Sequence, residues 1–396
     1  MRILFCNYEY PPLGGGGGVV MAALARHLAR RHEVTVLTSR ALDLPSESIE
    51  SNVRVLRAPV FFRRQLAVAN FPSMFAYLPS ATVRGLGLRN ARFDIVNTHF
   101  VVPTGPVGHV LAATYGVPHV LSVHGGDLYD PSKRSSPHRH GWLRAPIRWM
   151  LRAADHVVGQ SQNTVEHVRD IYGVTRDVEL IPLGIERPPS VPPATRAEFK
   201  LPEDAFVAVT IGRLVARKST EQLVTALKNS GVANAHLLIV GDGPEAATIR
   251  AAAETAGVSQ RVHLLGQVSD EDKYRALSVA DAFISSSQHE GFGLVFLEAM
   301  AFGLPVVCYD HGGQTDFLKS GETGFVVKLN DLESFTRAVR DLSQHREVRL
   351  AMGTHNRRLV EAFFIDRCAT AYESIFDSAL RRRAVGTGVA VRKRAG

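Results

Sequence analysis

Residues 287–307 read SQHEGFGLVFLEAMAFGLPVV: a polar turn, an apolar helical run and the start of an apolar strand. DAFISSS (281–287) before it and LPVVCYD (304–310) across its end both have strand character. Strand, helix, strand is the repeating unit of a parallel sheet covered by helices. Two glutamates, Glu290 and Glu298, interrupt the apolar run. At roughly 3.6 residues per turn their spacing rotates by about 800°, so they do not stack on one solvated stripe. Phe296, Leu297, Ala299, Met300 and Phe302 surround Glu298 in sequence, poor company for an unpaired carboxylate. The pattern calls for polar partners, a ligand among them.

The same alternation runs outward in both directions. ILFCN (3–7), VTVLTS (34–39), VRVLRAPV (53–60), DIVNTHF (94–100), HVLSVHG (119–125), HVVGQS (156–161) and VELIPLG (178–184) read as strands, with helical spacing at 21–31, 105–116 and 141–153. A second series has strands at 206–213, 235–243, 261–266, 281–287, 304–310 and 324–327, with helices near 219–229, 244–256, 270–278 and 293–302. Helical stretches at 331–343 and 345–380 follow. The expected fold is α/β, two Rossmann-like doubly wound domains facing each other across a cleft. The expected divisions are an N-terminal domain 1–185, a proline-rich linker 186–202 and a C-terminal domain 203–363. A helix at 364–380 is expected to pack back on the first domain, ahead of a basic, disordered tail at 381–396.

Net charge is +8, unevenly spread: residues 1–190 hold 21 Lys+Arg against 14 Asp+Glu, and the tail adds six cations with no acid. Such a surface suits an anionic membrane or a phosphorylated substrate; no nucleic-acid-binding module accompanies it. Three separated cysteines argue for a reducing compartment and against a disulfide framework or zinc site. The N-terminal apolar run is too short for a signal peptide, and no stretch is long enough to span a bilayer. The expected location is cytoplasmic, at the inner face of a membrane if PVFFRRQLAVANFPSMFAYLP (59–79) rests there.

Several motifs sit where strands end. PPLGGGGGVV (11–20) is a glycine-rich strand-to-helix turn that lets backbone N–H groups approach an anion. Val19 and Val20 break the dinucleotide spacing, and the second strand ends at Thr38-Ser39-Arg40 without a ribose-binding acid. His124 closes the fifth strand beside Gly125, Gly126 and Asp127. Arg213 and Lys218 in TIGRLVARKS (210–219) suit a diphosphate. GDGPE (241–245) repeats the strand–glycine–helix turn, and DHGGQTDFL (310–318) offers backbone donors at Gly312, Gly313 and Gln314. A carboxylate accepts two sugar hydroxyls at once, a role open to Glu290 and Glu298.

HEGFGLVFLEAMAFGLPVV, with GRLVARKS, GDGPE, VHLLGQV and DHGG in that order, resembles the retaining glycosyltransferases of family 4 and their GT-B fold over about residues 1–380. The resemblance implies transfer of a sugar from a nucleoside-diphosphate sugar, UDP- or GDP-linked, without cofactor or obligatory metal. The implied acceptor is a sugar, a lipid-linked or cell-surface polysaccharide precursor, or a small molecule. It makes Glu298 a ribose ligand and Glu290 a contact to sugar hydroxyls, while Arg213 and Lys218 hold the diphosphate and His124 lines the sugar site. Gly16 and Gly17 would approach phosphate or acceptor. Backbone at Gln267 and Val268 would read the base, and Gly291, Phe292, Gly293 and Leu294, with Gly312, Gly313 and Gln314, would enclose the donor. Asp127 is the candidate on the acceptor side. Asp316 and Ser219 stand where family members often carry glutamate and glycine. The rival readings are a nucleotide-sugar 2-epimerase and a catalytically silent nucleotide-sugar-binding protein.

Overall fold

The computed structural model describes residues 1–63, 70–131, 133, 136–190, 192 and 194–394, with side chains to residue 384. The chain divides into two compact units, Met1–Glu186 with Phe364–Gly396 (unit 1) and Arg187–Phe363 (unit 2).

Unit 1 comprises β1 (Arg2–Cys6), α1 (Gly16–Leu28), β2 (Glu33–Arg40), β3 (Glu47–Glu50), β4 (Val53–Pro59), α2 (Phe71–Leu86), β5 (Ile95–His99), α3 (Thr104–Tyr115), β6 (His119–Val123), α4 (Gly141–Ala153), β7 (His156–Gly159), α5 (Gln162–Asp170) and β8 (Glu179–Leu180). Its sheet has the order β3-β4-β2-β1-β5-β6-β7-β8. The strands pair in parallel except β3, which is antiparallel to β4. Period-two geometry explains the unbroken apolar strands. In β1, Ile3 and Phe5 pack with Met21, Leu24 and Leu28 of α1, whereas Leu4 and Cys6 pack with Tyr77 of α2 and Leu111 of α3. The winding reverses between β1 and β5, which leaves a crevice at their carboxyl ends.

Unit 2 repeats the plan with β9 (Phe206–Ile211), α6 (Glu221–Asn229), β10 (Ala235–Val240), α7 (Ala246–Thr255), β11 (Val262–Gly266), α8 (Asp270–Ser278), β12 (Ala282–Ser285), α9 (Leu294–Ala301), β13 (Val306–Tyr309), β14 (Gly324–Val327), α10 (Leu332–Gln344) and α11 (Arg346–Leu359). Strand order is β11-β10-β9-β12-β13-β14, all parallel, and the switch lies between β9 and β12.

The stretch read as one helix over 345–380 is two: α11 ends in a short turn at Val360–Phe363, and α12 (Ile365–Arg394) begins after it. Cys368, Ala369, Tyr372, Phe376 and Ala379 of α12 join the core of unit 1 around Ile3, Met21 and Leu24. The segment expected to be a disordered tail continues this helix to Arg394. Packing of the first turns removes the nucleation cost, so further residues add one hydrogen bond each. Side chains beyond 384 lie outside the described residues. Part of the proline-rich segment also belongs to unit 2: Arg196 donates to the carbonyls of Glu203 and Ala205 and to Asp281 Oδ2. Among the described residues no helix is long and apolar enough to cross a membrane.

Candidate functional site

In unit 2 the loops after β9 and β12 are tied together at the switch. Ser286 Oγ donates to the carbonyls of Lys218 at 3.0 Å and Ser219 at 2.8 Å. Gln288 N donates to Arg217 O, and Arg217 Nη1 to His289 O. These bonds deliver Lys218 to Glu290, where Nζ donates to Oε1, while Arg217 Nη1 lies 3.6 Å from Oε2. Arg213 is exposed and lines, with Gly212, Lys218 and Ser285, one small hollow. GDGPE braces that loop as a tight turn: Leu214 N donates to Asp242 O, and Glu245 N to Leu214 O.

Glu290 is 7% exposed. Burial pushes its pKa up, but the charges of Lys218 and Arg217, with hydrogen bonds from Lys218 and Ser287, outweigh this and hold it at about 2. The carboxylate therefore stays ionised and acts only as an acceptor. Because the folded pKa lies below the ordinary 4.5, Glu290 stabilises the fold above that value and loses its contribution as pH falls toward 2. The loss comes to about 3 kcal/mol. Urea unfolding of wild type and Glu290→Gln between pH 2 and 5 should converge by that amount. Parallel pH dependences would rule out the ionised, paired state.

Behind Glu290, Gly313 N donates to Glu290 O at 2.9 Å, and Gly312 forms a parallel bridge with Glu290. The N–H of Gly313, expected to face the donor, is thus engaged within the loop. Gln314 Nε2 donates to Tyr309 O, while its buried Oε1 has no partner among the described residues. Phe292 is buried against Phe317 and Phe363, so of this residue only backbone is available to a ligand. Gly291 precedes it, and Gly293, at φ +92°, turns the chain into α9 at Leu294.

Glu298 lies inside α9 with its side chain 17% exposed. Its Oε1 accepts from Lys273 Nζ of α8 at 2.9 Å; Lys273 also reaches Asp270 at 3.0 Å and lies over the Tyr274 ring. Burial raises the Glu298 pKa, opposed chiefly by Lys273, with Asp270 adding to the rise. The partner that the apolar surroundings demanded is Lys273. Gln267 is exposed and Val268 half-buried after β11.

In unit 1, His124 follows β6 and is 9% exposed. Its Nε2 lies 2.9 Å from Nδ1 of His99, and Phe100 stacks on it with centroids 4.2 Å apart. Asp127 does not reach outward. Its Oδ1 accepts from His124 N at 2.9 Å and its Oδ2 from Val101 N at 2.6 Å. Burial pushes its pKa up to about 6 despite those backbone bonds. This residue clamps the His124 loop to the β5 loop. Gly16 opens α1, and a Cβ at Gly17 would sit 2.4 Å from Phe100 Cζ. Glu9 Oε2 accepts from Gly15 N at 3.1 Å, so the glycine turn expected to draw an anion already holds a carboxylate. Among the described residues no three His, Cys, Asp or Glu side chains form a metal set.

The family model described as Glycosyltransferase Family 4 matches residues 14–187, and that described as Glycosyl transferases group 1 matches 193–359. The chain belongs to glycosyltransferase family 4. The glycosyltransferase is 27% identical over 384 residues to N-acetyl-alpha-D-glucosaminyl L-malate synthase of Bacillus anthracis, covering 94% of this chain and 96% of the relative. It is 28% identical over 379 residues to the GDP-mannose-dependent alpha-(1-6)-phosphatidylinositol monomannoside mannosyltransferase of Mycolicibacterium smegmatis, covering 90% and 92%. Sucrose-phosphate synthase of Thermosynechococcus elongatus superposes with a TM-score of 0.82 at 22% identity, over 96% of this chain and 98% of that one. Anabaena HepE in complex with UDP gives 0.77 at 18%, over 96% and 100%. The fold is GT-B.

Four residues of this glycosyltransferase escaped the sequence reading as site candidates: Glu9, His99, Arg217 and Lys273. Two carried a signal. His99 ends β5 beside the switch, and Arg217 adjoins Lys218. Glu9 meets Gly15 within its own loop, and Lys273 reaches Glu298 from a different helix.

Proposed function

We propose that this glycosyltransferase moves a hexosyl group from a UDP- or GDP-linked sugar to an acceptor hydroxyl with retained configuration and no obligatory metal. The observation that carries the reading is the ionised Glu290 held by Lys218 and Arg217 at the switch of unit 2. Arg213 and Lys218 face the diphosphate, and Glu290 accepts sugar hydroxyls. Glu298 accepts ribose hydroxyls through the oxygen that Lys273 leaves open. Backbone at Gln267 and Val268 meets the base; Gly291, Gly293, Leu294, Gly312 and Gln314 border the donor. In unit 1, His124 contacts the transferred sugar, and Gly16 and Gly17 border phosphate or acceptor. The bond from anomeric carbon to diphosphate oxygen breaks. The acceptor oxygen bonds on the same face, and its proton passes to the departing phosphate. Cations aimed at that developing charge supply the stabilisation.

A relative named as GDP-mannose-dependent and a GT-B neighbour in complex with UDP support the donor class. A lipid-linked acceptor at an anionic membrane surface is supported by exposed Phe61, Phe62, Phe71 and Phe75 on and before α2. Residues 64–69 of that stretch lie outside the described residues.

Thermal unfolding with UDP, GDP or ADP in the presence of chelator tests the donor reading. The matching nucleotide at 100 times its Kd should add about 2.7 kcal/mol. Arg213→Ala and Glu298→Ala should each weaken that nucleotide about tenfold or more, from one lost charge-assisted contact. Unchanged affinity in both would remove them from the donor site.

A further inference from the structure

Five hydrogen bonds join six side chains of unit 1 in one line. Gln160 Nε2 lies 3.0 Å from Tyr372 Oη, which lies 2.9 Å from Ser122 Oγ. Ser122 Oγ is 3.3 Å from Asn97 Oδ1, and Asn97 Nδ2 is 3.1 Å from His99 Nε2. His99 Nδ1 then meets His124 Nε2 at 2.9 Å. Apart from His124, every member is at most 1% exposed. Burial holds His99 well below the ordinary imidazole range, with the nearby His124 a second cause, and pushes His124 down to about 3. Both rings are neutral near pH 7, so each carries one N–H.

With neutral rings, each bond needs one donor and one acceptor, and this couples the whole line. With each hydroxyl passing its own proton along the line, either every proton points toward His124 or every proton points away. The two side-chain amides decide between them. Gln160 turns Nε2 to Tyr372, and Asn97 turns Oδ1 to Ser122 and Nδ2 to His99, which points the protons toward His124. In this arrangement Asn97 donates to His99 Nε2, His99 carries its proton on Nδ1 and donates to His124 Nε2, and the proton of His124 must sit on Nδ1. His124 Nδ1 is buried and has no hydrogen-bond partner among the described residues. A donor left in that state asks for an acceptor from outside.

We propose that the line Gln160–Tyr372–Ser122–Asn97–His99 fixes His124 as the Nδ1–H tautomer, so that it donates to a hydroxyl oxygen of the transferred sugar. Asn97, His99 and Tyr372 are positioning residues, and α12 takes part in the site through Tyr372. The sugar contact rests on the function proposed above; the tautomer does not.

The test is long-range ¹⁵N–¹H correlation on the full chain labelled with ¹⁵N-histidine near neutral pH, His124 being assigned by its loss in His124→Gln. The expected result is a protonated Nδ1 and an unprotonated Nε2 on His124. Tyr372→Phe, which deletes one hydroxyl and cuts the line from Gln160, should shift the tautomer ratio toward Nε2–H by roughly tenfold, about one hydrogen bond's worth. A wild-type His124 protonated on Nε2, or a ratio that Tyr372→Phe leaves unmoved, would overturn the proposal. A UDP- or GDP-hexose should then shift the Nδ1–H resonance. If the tautomer behaves as expected and neither donor moves the resonance, the sugar-contact reading is what fails.

Discussion

Lys218→Ala is expected to lower kcat/KM by about 10²–10³, the usual cost of removing one preorganised group that faces developing charge. The same substitution should remove up to about 3 kcal/mol of stability, because it leaves the buried carboxylate of Glu290 to the more distant Arg217. Two effects from one side chain need separating, and the geometry supplies the means. In Lys218→Ala/Glu290→Gln no charge is left stranded, so urea unfolding should return most of the way to wild type. The rate should not recover. A double variant that regains turnover would mean that Lys218 serves only to hold Glu290. A single variant with unaltered kcat/KM would take Lys218 away from the reacting bond.

Gly312→Ala is expected to cost more than about 4 kcal/mol and to abolish donor binding. Gly312 has φ +130° and ψ −169°, a region essentially closed to other residues, at a cost of about 1–3 kcal/mol. A Cβ there would also lie 2.1 Å from Glu290 O, 2.8 Å from Glu290 N and 2.7 Å from Gln314 Oε1. Two of those atoms are backbone of the residue whose carboxylate organises the site, so no rotamer change relieves the overlap. Gly321→Ala is the control. Its φ is +87° but nothing lies within 4 Å of the added carbon, so only the left-handed penalty of about 1–2 kcal/mol applies. Equal melting temperatures for the two variants would show that the Glu290 loop yields without cost.

The two-domain architecture was legible because strands buried on both faces read as short apolar runs. Two of the elements that escaped are polar. β3 is ESIE, an edge strand with Ile49 79% exposed, and its carboxylates discourage further pairing. α5 is QNTVEHVRD and buries only Thr164 and Val168. At the site, the spacing of Glu290 and Glu298 and the cations of GRLVARKS were visible, since local sequence places the cations and Glu290 after strands and Glu298 in the helix that follows. Their partners were not. Lys273 reaches Glu298 from another helix, and Asp127 looked available until the N–H groups of His124 and Val101 took its oxygens. The glycines of 11–20 suggested an anion, whereas Gly17 makes room for Phe100 and Gly15 binds the carboxylate of Glu9.

Unit 1 is assembled from two stretches of chain separated by the whole of unit 2. During translation, at about 5–20 residues per second, Tyr372, Phe376 and Ala379 leave the ribosome on the order of ten seconds or more after the rest of their core. Through that interval Ile3, Met21 and Leu24 lack part of the cover that closes around them. Unit 2 is contiguous and finishes emerging first, so maturation runs against the order of synthesis. The first stretch therefore keeps apolar surface of its core uncovered for as long as unit 2 is being made.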